Sequence, residues 1–169
     1  GLIRLAILLI GLVTFCTWSG SNMLNMPGPS YRGTLPPPTN RQTALSAELR
    51  ADVLQIAETI GERNVWNEQN LRATAAYIEQ SLANAGYAVR RQTYEAWGQK
   101  LDNIEGTVQG AILGDQIVVI GAHYDSVAEC PGANDNASGV AALLALARVL
   151  SGRSPQRTLR FVAFVNEEP

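Results

Sequence analysis

The segment from residue 116 to residue 165 constrains the fold of this chain more than any other part of the sequence. It contains two apolar runs, QIVVIGA (116–122) and LRFVAFV (159–165), separated by a helical pattern at about 138–151. Continuous apolar runs of this length are typical of strands that are buried on both faces. A strand, a helix and a strand in this order predict a βαβ unit within a three-layer α/β/α sandwich.

The sequence before this segment predicts further helices and strands. The first helix is expected to begin at a cap formed by Thr43 or Ser46. The predicted elements, in chain order, are that helix, which ends at Gly61, a second helix at about 67–85, and strands at 87–94 and 102–108. Together they indicate an α/β fold with a mixed, mostly parallel central sheet, truncated after the strand that ends near Val165.

The N-terminal part of the chain differs in composition from the rest. Residues 1–18 are apolar apart from Arg4, which predicts a signal peptide or membrane anchor and therefore an exported or membrane-anchored protein on the periplasmic or extracellular face. Residues 19–41 are rich in Pro, Gly, Ser and Asn and predict an extended linker. A globular domain is expected over 42–169. Because the sequence starts at Gly rather than Met and stops after an apolar run, we expect a fragment of a longer protein.

Charge and cysteine content exclude several classes of function. The formal net charge is −2 and there is no basic block, so nucleic acid is not an expected partner. The two cysteines, Cys16 and Cys130, define neither a disulfide framework nor a CxxC metal-binding knuckle.

Polar side chains follow both strands of the predicted βαβ unit. His123, the only histidine, and Asp125 follow the first strand, Asp135 lies in the loop GANDNASG, and Glu167 and Glu168 follow the second strand. Ligands bind at the carboxyl ends of the strands in open α/β sheets. If the two strands are neighbours, all five side chains can converge on one site.

The residues that follow the first strand have both structural and functional interpretations. A lone histidine is more often structural than a ligand, and Asp125 and Asp135 could be turn residues. In His-x-Asp on an extended segment, however, both side chains point to the same side. The carboxylate of Asp125 can then fix the tautomer of a metal-bound imidazole. Asp135 precedes a helix N-terminus, which favours a carboxylate, and its two oxygens can bridge two cations.

Glu167 and Glu168 are two adjacent acids after a buried strand. An exposed strand end is the simplest explanation, but like charges at this distance raise each other's pKa unless a cation intervenes. A cation site accounts for the pair better, with one Glu as a ligand and the other as general base for the attacking water. Oxygen-rich ligands with one imidazole suit a hydrolytic zinc pair, with manganese or cobalt as substitutes.

Two other kinds of hydrolytic site are disfavoured by missing motifs. HExxH is absent, which excludes a thermolysin-type site. A Ser–His–Asp hydrolase is a weaker alternative, because GxSxG is absent and neither Ser126 nor Ser138 has the context of a nucleophile elbow.

Three motifs in order, IVVIGAHYDSV, PGANDNASGVAALLALAR and RTLRFVAFVNEEP, resemble those of the co-catalytic zinc aminopeptidases. This peptidase family includes bacterial leucyl aminopeptidase, aminopeptidase Y and the glutamate carboxypeptidase II group, and the close match covers about 115–169. The resemblance implies the zinc exopeptidase fold, two co-catalytic zinc ions, and an aminopeptidase that acts on peptide or protein N-termini.

The resemblance also implies a role for each of the five residues. His123 is similar to a ligand of one zinc, Glu168 to a ligand of the other, and Asp135 to the carboxylate that bridges them. Asp125 resembles the acid that orients the histidine, and Glu167 resembles the general base. Family members complete the site with a further Asp and a further His downstream. We therefore expect residues 42–169 to be an incomplete catalytic domain that binds zinc weakly and shows no turnover alone.

Other functions on the same fold stay open at this point. Glutaminyl cyclases use one zinc for an acyl-transfer cyclisation, but their motif typically departs from DNASG, which is intact here. A catalytically dead receptor-type homologue would have lost site residues, whereas all five are present. Carboxypeptidase specificity also remains open, because the sequence does not define the substrate pocket.

Overall fold

The structure, a computed structural model, describes residues 1–24 and 28–168 and divides the chain into two compact units. The first unit, residues 1–37, contains helix α1 (Leu2–Leu24). By length and composition α1 could cross a membrane, and a signal sequence would pass the same test. The predicted linker at 19–41 overlaps α1 as far as Leu24, and part of it, residues 25–27, lies outside the described residues.

The second unit, residues 38–169, contains the predicted α/β domain. Its elements in chain order are α2 (Asn40–Leu54), α3 (Glu68–Asn84), β1 (Ala88–Ala96), β2 (Gln99–Val108), β3 (Leu113–His123), α4 (Ser138–Leu150) and β4 (Arg157–Phe164). One π-helical turn, Gln55–Ile60, continues α2, and a kinked turn, Ala133–Ala137, in which Asp135 and Asn136 are not helical, precedes α4.

Helix α2 begins at Asn40, earlier than the sequence predicts. Its N-cap is Thr39 rather than Thr43 or Ser46, because Thr39 Oγ1 accepts the N–H of Gln42 at 3.3 Å and Gln42 Oε1 accepts the N–H of Thr39 at 2.8 Å. This reciprocal capping box satisfies two otherwise unpaired backbone donors. The predicted end at Gly61 is confirmed, since its φ of 88° is one that glycine adopts without strain.

The four strands form one mixed sheet in the order β1-β2-β4-β3. Strand β2 pairs antiparallel with both β1 and β4, whereas β3 and β4 are parallel. The segment β3–α4–β4 is therefore the predicted βαβ unit. Its register pairs His123 with Phe164, so the two strands end at the same level and the residues that follow them lie side by side.

Helices α3 and α4 share one hydrophobic core with the sheet, and α2 packs on α4. The Tyr87 ring meets Phe161 edge-on, with 5.2 Å between ring centroids, and its hydroxyl donates to the carbonyl of Ala147 at 2.8 Å. These contacts tie the start of β1 to β4 and α4. The fully buried side chains of this core include Ile78, Leu82, Ile104, Leu144 and Phe161.

The opposite face of the sheet is open in the part of the chain that the structure describes. Ile117 and Val119 of β3 and Phe164 of β4 point to this face and are exposed. The prediction that QIVVIGA is buried on both faces is therefore wrong for this structure, because β3 is an edge strand and the described helices pack on the other side. The described residues provide the sheet and one helical layer of the predicted sandwich.

Candidate metal centre

His123, the last residue of β3, lies at the centre of a cluster of acids. Its Nε2 is 3.0 Å from Oδ1 of Asp135 and 3.9 Å from Oε2 of Glu167. Its Nδ1 faces Oδ1 of Asp125 at 3.6 Å. Three segments that are separate in sequence therefore meet around one imidazole ring.

Glu168 completes the cluster. One ligand atom from each of His123, Glu167 and Glu168 can be chosen so that all three lie within 4.8 Å of one another. The backbone N–H of Glu168 donates to Oδ2 of Asp125 at 2.9 Å. The structure thus brings all five predicted site residues together where the parallel strands β3 and β4 end, as expected for an open α/β sheet.

Asp125 is the buried acid of the cluster. Its side chain is 3% exposed, whereas that of Asp135 is 73% exposed and that of Glu167 is 62% exposed. Asp125 Oδ1 and the opposing His123 Nδ1 are both buried without a hydrogen-bond partner among the described residues. A proton on Nδ1 would point toward the carboxylate charge of Asp125, at a separation longer than a hydrogen bond. Nε2, which lies 3.0 Å from Oδ1 of Asp135, is then the ring nitrogen whose lone pair can bind a cation.

The surroundings of Glu168 in the cluster raise its pKa above the usual value of a glutamate. Loss of hydration raises its pKa, as do the charges of Asp135, Glu167 and Asp125, whereas His123 lowers it. A bound cation relieves such repulsion between carboxylates. Carboxylate oxygens together with one imidazole nitrogen suit zinc. The donor set therefore fits a zinc site.

The turn before α4 sets the position of Asp135. Asp135 has extended rather than helical backbone angles, φ −117° and ψ 96°, and its peptide bond to Asn136 is cis. The side-chain oxygen of Asn136 accepts the N–H of Gly139 at 3.0 Å, which satisfies a backbone donor in the first turn of α4. Asp135 therefore lies beside the N-terminus of a helix, as the sequence predicts.

The segment that carries Glu167 is held by the β1–β2 hairpin. The Tyr94 hydroxyl donates to the carbonyl of Val165 at 2.7 Å, and Trp97 Nε1 donates to Oδ1 of Asn166 at 3.1 Å. Neither contact was predicted from the sequence. Tyr94 lies 71 positions before Val165, and Trp97 lies 69 positions before Asn166. The sequence around an aromatic residue in a hairpin does not indicate which distant residue will accept its hydrogen bond.

The contacts of Arg63 with the site loop were also not predicted from the sequence. Its side chain is fully buried, and its guanidinium donates to backbone carbonyls of the loop between His123 and Asp135. Tyr124, the first of these partners, is 61 residues away in sequence. Backbone carbonyls are present at every residue, so the sequence IGERN gives no sign of which ones this arginine binds.

Comparison with known proteins relates this geometry to a family. Residues 103–169 match the sequence model of peptidase family M28. The chain is 34% identical over 140 residues to an uncharacterized Escherichia coli protein, YfbL. This aligned region covers 78% of this chain and 43% of YfbL. It is 52% identical over 52 residues to aminopeptidase YwaD of Bacillus subtilis. This shorter aligned region covers 31% of this chain and 11% of YwaD. The chain therefore spans less than half the length of these curated relatives.

Solved structures with the same fold include peptidases and cyclases. BSAP, a zinc aminopeptidase from Bacillus subtilis, superposes with a TM-score of 0.66 at 16% identity, over 72% of this chain and 62% of BSAP. A glutaminyl cyclase from Tannerella forsythia superposes with a TM-score of 0.56 at 27% identity, over 75% of this chain and 47% of the cyclase. These likenesses confirm the predicted α/β fold.

Proposed function

We propose that this chain, whose residues 103–169 match the sequence model of peptidase family M28, is part of a zinc-dependent aminopeptidase that removes residues from the N-termini of peptides or proteins. The observation that carries the proposal is the convergence of His123, Asp135, Glu167 and Glu168 where β3 and β4 end. The similarity to aminopeptidase YwaD supports this choice among the activities found on the fold.

The proposed metal ligands are His123, Asp135 and Glu168. In this proposal two zinc ions would be held by Nε2 of His123 and by carboxylate oxygens of Asp135 and Glu168. The 3.0 Å between His123 Nε2 and Asp135 Oδ1 supports a shared cation, since both atoms would be ligands of the same zinc. Zinc requires further ligands, which we propose come from parts of the protein that this sequence does not include.

Glu167 is the proposed general base. When bound, zinc polarises a carbonyl and makes water nucleophilic near neutral pH. Glu167 is exposed and lies 3.9 Å from the histidine ring, so its carboxylate can take a proton from the attacking water and pass it to the leaving amine. Asp125, which faces the Nδ1 of His123, is proposed to fix the tautomer and orientation of the ring.

A glutaminyl cyclase is the second candidate. The identity of 27% to the Tannerella forsythia enzyme favours it, and such an activity would need one zinc rather than two. The intact DNASG sequence that begins at Asp135 favours the peptidase instead. A catalytically dead homologue is less well supported, because none of the five predicted site residues has been replaced.

The apolar helix α1 suggests where the peptidase acts. We propose that residues 1–18, which lie within α1, are a signal sequence or membrane anchor. The peptidase unit would then face the periplasm or the cell exterior and act on peptides there. Membrane association through this segment is part of the same proposal.

The test of the proposed function uses the full-length protein and peptides with free or acetylated N-termini. We expect release of N-terminal residues from free peptides only, loss of this activity with a chelator, and its return when zinc is added. Cleavage at the C-terminus would contradict the aminopeptidase assignment. Cyclisation of N-terminal glutamine with release of ammonia, without peptide cleavage, would favour the cyclase.

A further inference from the structure

Arg63 is a fully buried cation whose side chain ends inside the loop that carries the candidate metal ligands. Its Nε donates to the carbonyl of Tyr124 at 2.6 Å and its Nη2 to that of Gly132 at 2.9 Å. Its Nη1 donates to the carbonyls of Pro131 at 2.5 Å and Gly61 at 3.1 Å. The planar fork of the guanidinium thus connects the two ends of the segment 124–132.

The backbone of Arg63 binds the same loop. Its N–H donates to Ser126 Oγ at 3.1 Å, and its carbonyl accepts the N–H of Ser126 at 2.9 Å. Ser126 is itself fully buried and donates through Oγ to the carbonyl of Cys130 at 2.9 Å. The loop is therefore closed around Arg63 by both its main chain and its side chain.

The charge of Arg63 is also linked to the site. A buried guanidinium stays charged, and such charges are normally paired. The ion pairs formed among the described residues do not include Arg63. Burial lowers its pKa, and the charges of Asp125 and Cys130 raise it. The buried acid beside His123 therefore also stabilises the buried cation that holds the loop.

Both ends of this loop adjoin candidate ligands. Tyr124 lies between His123 and Asp125, and its carbonyl accepts from Arg63 Nε. Gly132 begins the turn that contains Asp135, and its carbonyl accepts both Arg63 Nη2 and the N–H of Ala137. A change in how Arg63 connects these carbonyls would alter the separation of the two ligands that lie 3.0 Å apart.

We propose that Arg63 is a positioning residue of the metal centre, which holds the segment 124–132 in the shape that sets His123 against Asp135. This inference rests on the proposed zinc site. Lysine cannot replace the contact, because an ammonium is a compact point charge that lacks the five-donor planar fork of arginine. Removal of contacts that orient metal ligands typically lowers metal affinity about 10- to 100-fold.

The test compares Arg63→Lys with a matched control, Arg148→Lys, in the full-length protein. Arg148 is a partly buried arginine of α4 that pairs with Asp52 at 2.6 Å and makes no contact with the loop among the described residues. Zinc affinity is measured by competition with a chromophoric chelator, the visible spectrum is recorded with Co²⁺, and the unfolding temperature is measured for each variant. We expect both variants to unfold at lower temperature, but only Arg63→Lys to lose about 10- to 100-fold in zinc affinity and to change the Co²⁺ spectrum.

A folded Arg63→Lys with wild-type zinc affinity and an unchanged Co²⁺ spectrum would overturn the inference, as would an equal loss of affinity in Arg148→Lys. If Arg63→Lys does not fold, the zinc affinity of Ser126→Ala is measured instead. This variant removes only the hydroxyl that links the N–H of Arg63 to the carbonyl of Cys130. A lower zinc affinity in Ser126→Ala supports the inference, and an unchanged one contradicts it. A protein that binds zinc but cleaves no peptide would contradict the proposed function and leave this inference standing.

Discussion

The buried carboxylate of Asp125 accepts the backbone N–H of Glu168 at 2.9 Å. This hydrogen bond joins the residues that follow β3 to those that follow β4, across 43 positions of sequence. The other oxygen of Asp125 faces Nδ1 of His123 at 3.6 Å. One buried acid thus contacts a proposed ligand from each of the two strands, and the arrangement of the site depends on it.

Two substitutions of Asp125 distinguish its contribution to the stability of the fold from its contribution to zinc affinity. Asp125→Ala leaves the Glu168 N–H without its acceptor and removes the carboxylate that faces His123 Nδ1, so we expect a loss of about 1–3 kcal/mol in the free energy of unfolding. Asp125→Asn keeps an acceptor oxygen for Glu168 but removes the negative charge that faces the ring. We expect a smaller loss of stability and a zinc affinity reduced about 10- to 100-fold.

Chemical denaturation and zinc titration of both Asp125 variants check these expectations. An Asn variant that binds zinc as tightly as the wild type would show that the Asp125 carboxylate does not orient His123.

Gly132 is a second position where backbone geometry and the site are connected. Its φ is 55°, and an added Cβ would lie 2.4 Å from the carbonyl oxygen of Asp135 and 2.7 Å from Cβ of Ser126. Gly152 has a similar φ of 68° but nothing within 4 Å of an added Cβ, which makes it a matched control. We expect Gly152→Ala to cost about 1–2 kcal/mol through its left-handed backbone alone.

Gly132→Ala should cost more than this and should also lower zinc affinity, because the clash can be relieved only by moving Asp135 or Ser126. The free energy of unfolding and the zinc affinity are measured for both variants. Equal losses of stability, together with unchanged zinc binding, would contradict a rigid loop at this point.

Tyr77 gives a pH-dependent prediction away from the site. Burial and the 2.5 Å hydrogen bond that its hydroxyl donates to Asp52 raise the pKa of Tyr77 from 10.0 to about 12. The folded state therefore holds this proton more tightly than the unfolded state. The resulting stabilisation is complete below about pH 10 and is lost as the pH rises toward about 12.

In Tyr77→Phe this contribution is absent, so we expect its free energy of unfolding to fall less steeply between about pH 10 and pH 12 than that of the wild type. Urea denaturation at a series of pH values provides the measurement. Parallel curves for the two proteins would show that Tyr77 does not titrate as its surroundings require.

The βαβ unit and the convergence of five polar side chains after its strands could be predicted from the sequence because both follow from local patterns. Apolar runs identify β3 and β4, and parallel neighbouring strands bring the residues after them to one edge of the sheet. His123 and Glu168 could therefore be placed together before any contact was known.

Other features could not be predicted, for identifiable physical reasons. The partners of Arg63 are mostly backbone carbonyls. Because every residue has a backbone carbonyl, the sequence does not indicate which of them an arginine will bind. An apolar run such as QIVVIGA shows that a strand can be covered, but does not show which segment covers it. The cap at Thr39 follows the Pro-rich run TLPPP and therefore lies within the linker that the composition predicts.

The proposed division of roles between Glu167 and Glu168 is tested most directly by zinc content and kcat, measured on the same samples of full-length Glu167→Gln and Glu168→Gln. We expect Glu167→Gln to keep its zinc and to lose about 10²- to 10⁴-fold in kcat, because it lacks only the general base. Glu168→Gln should lose zinc itself. Wild-type kcat in Glu167→Gln, or equal loss of zinc from both variants, would contradict a metal centre in which one glutamate binds the cation and its neighbour moves the proton.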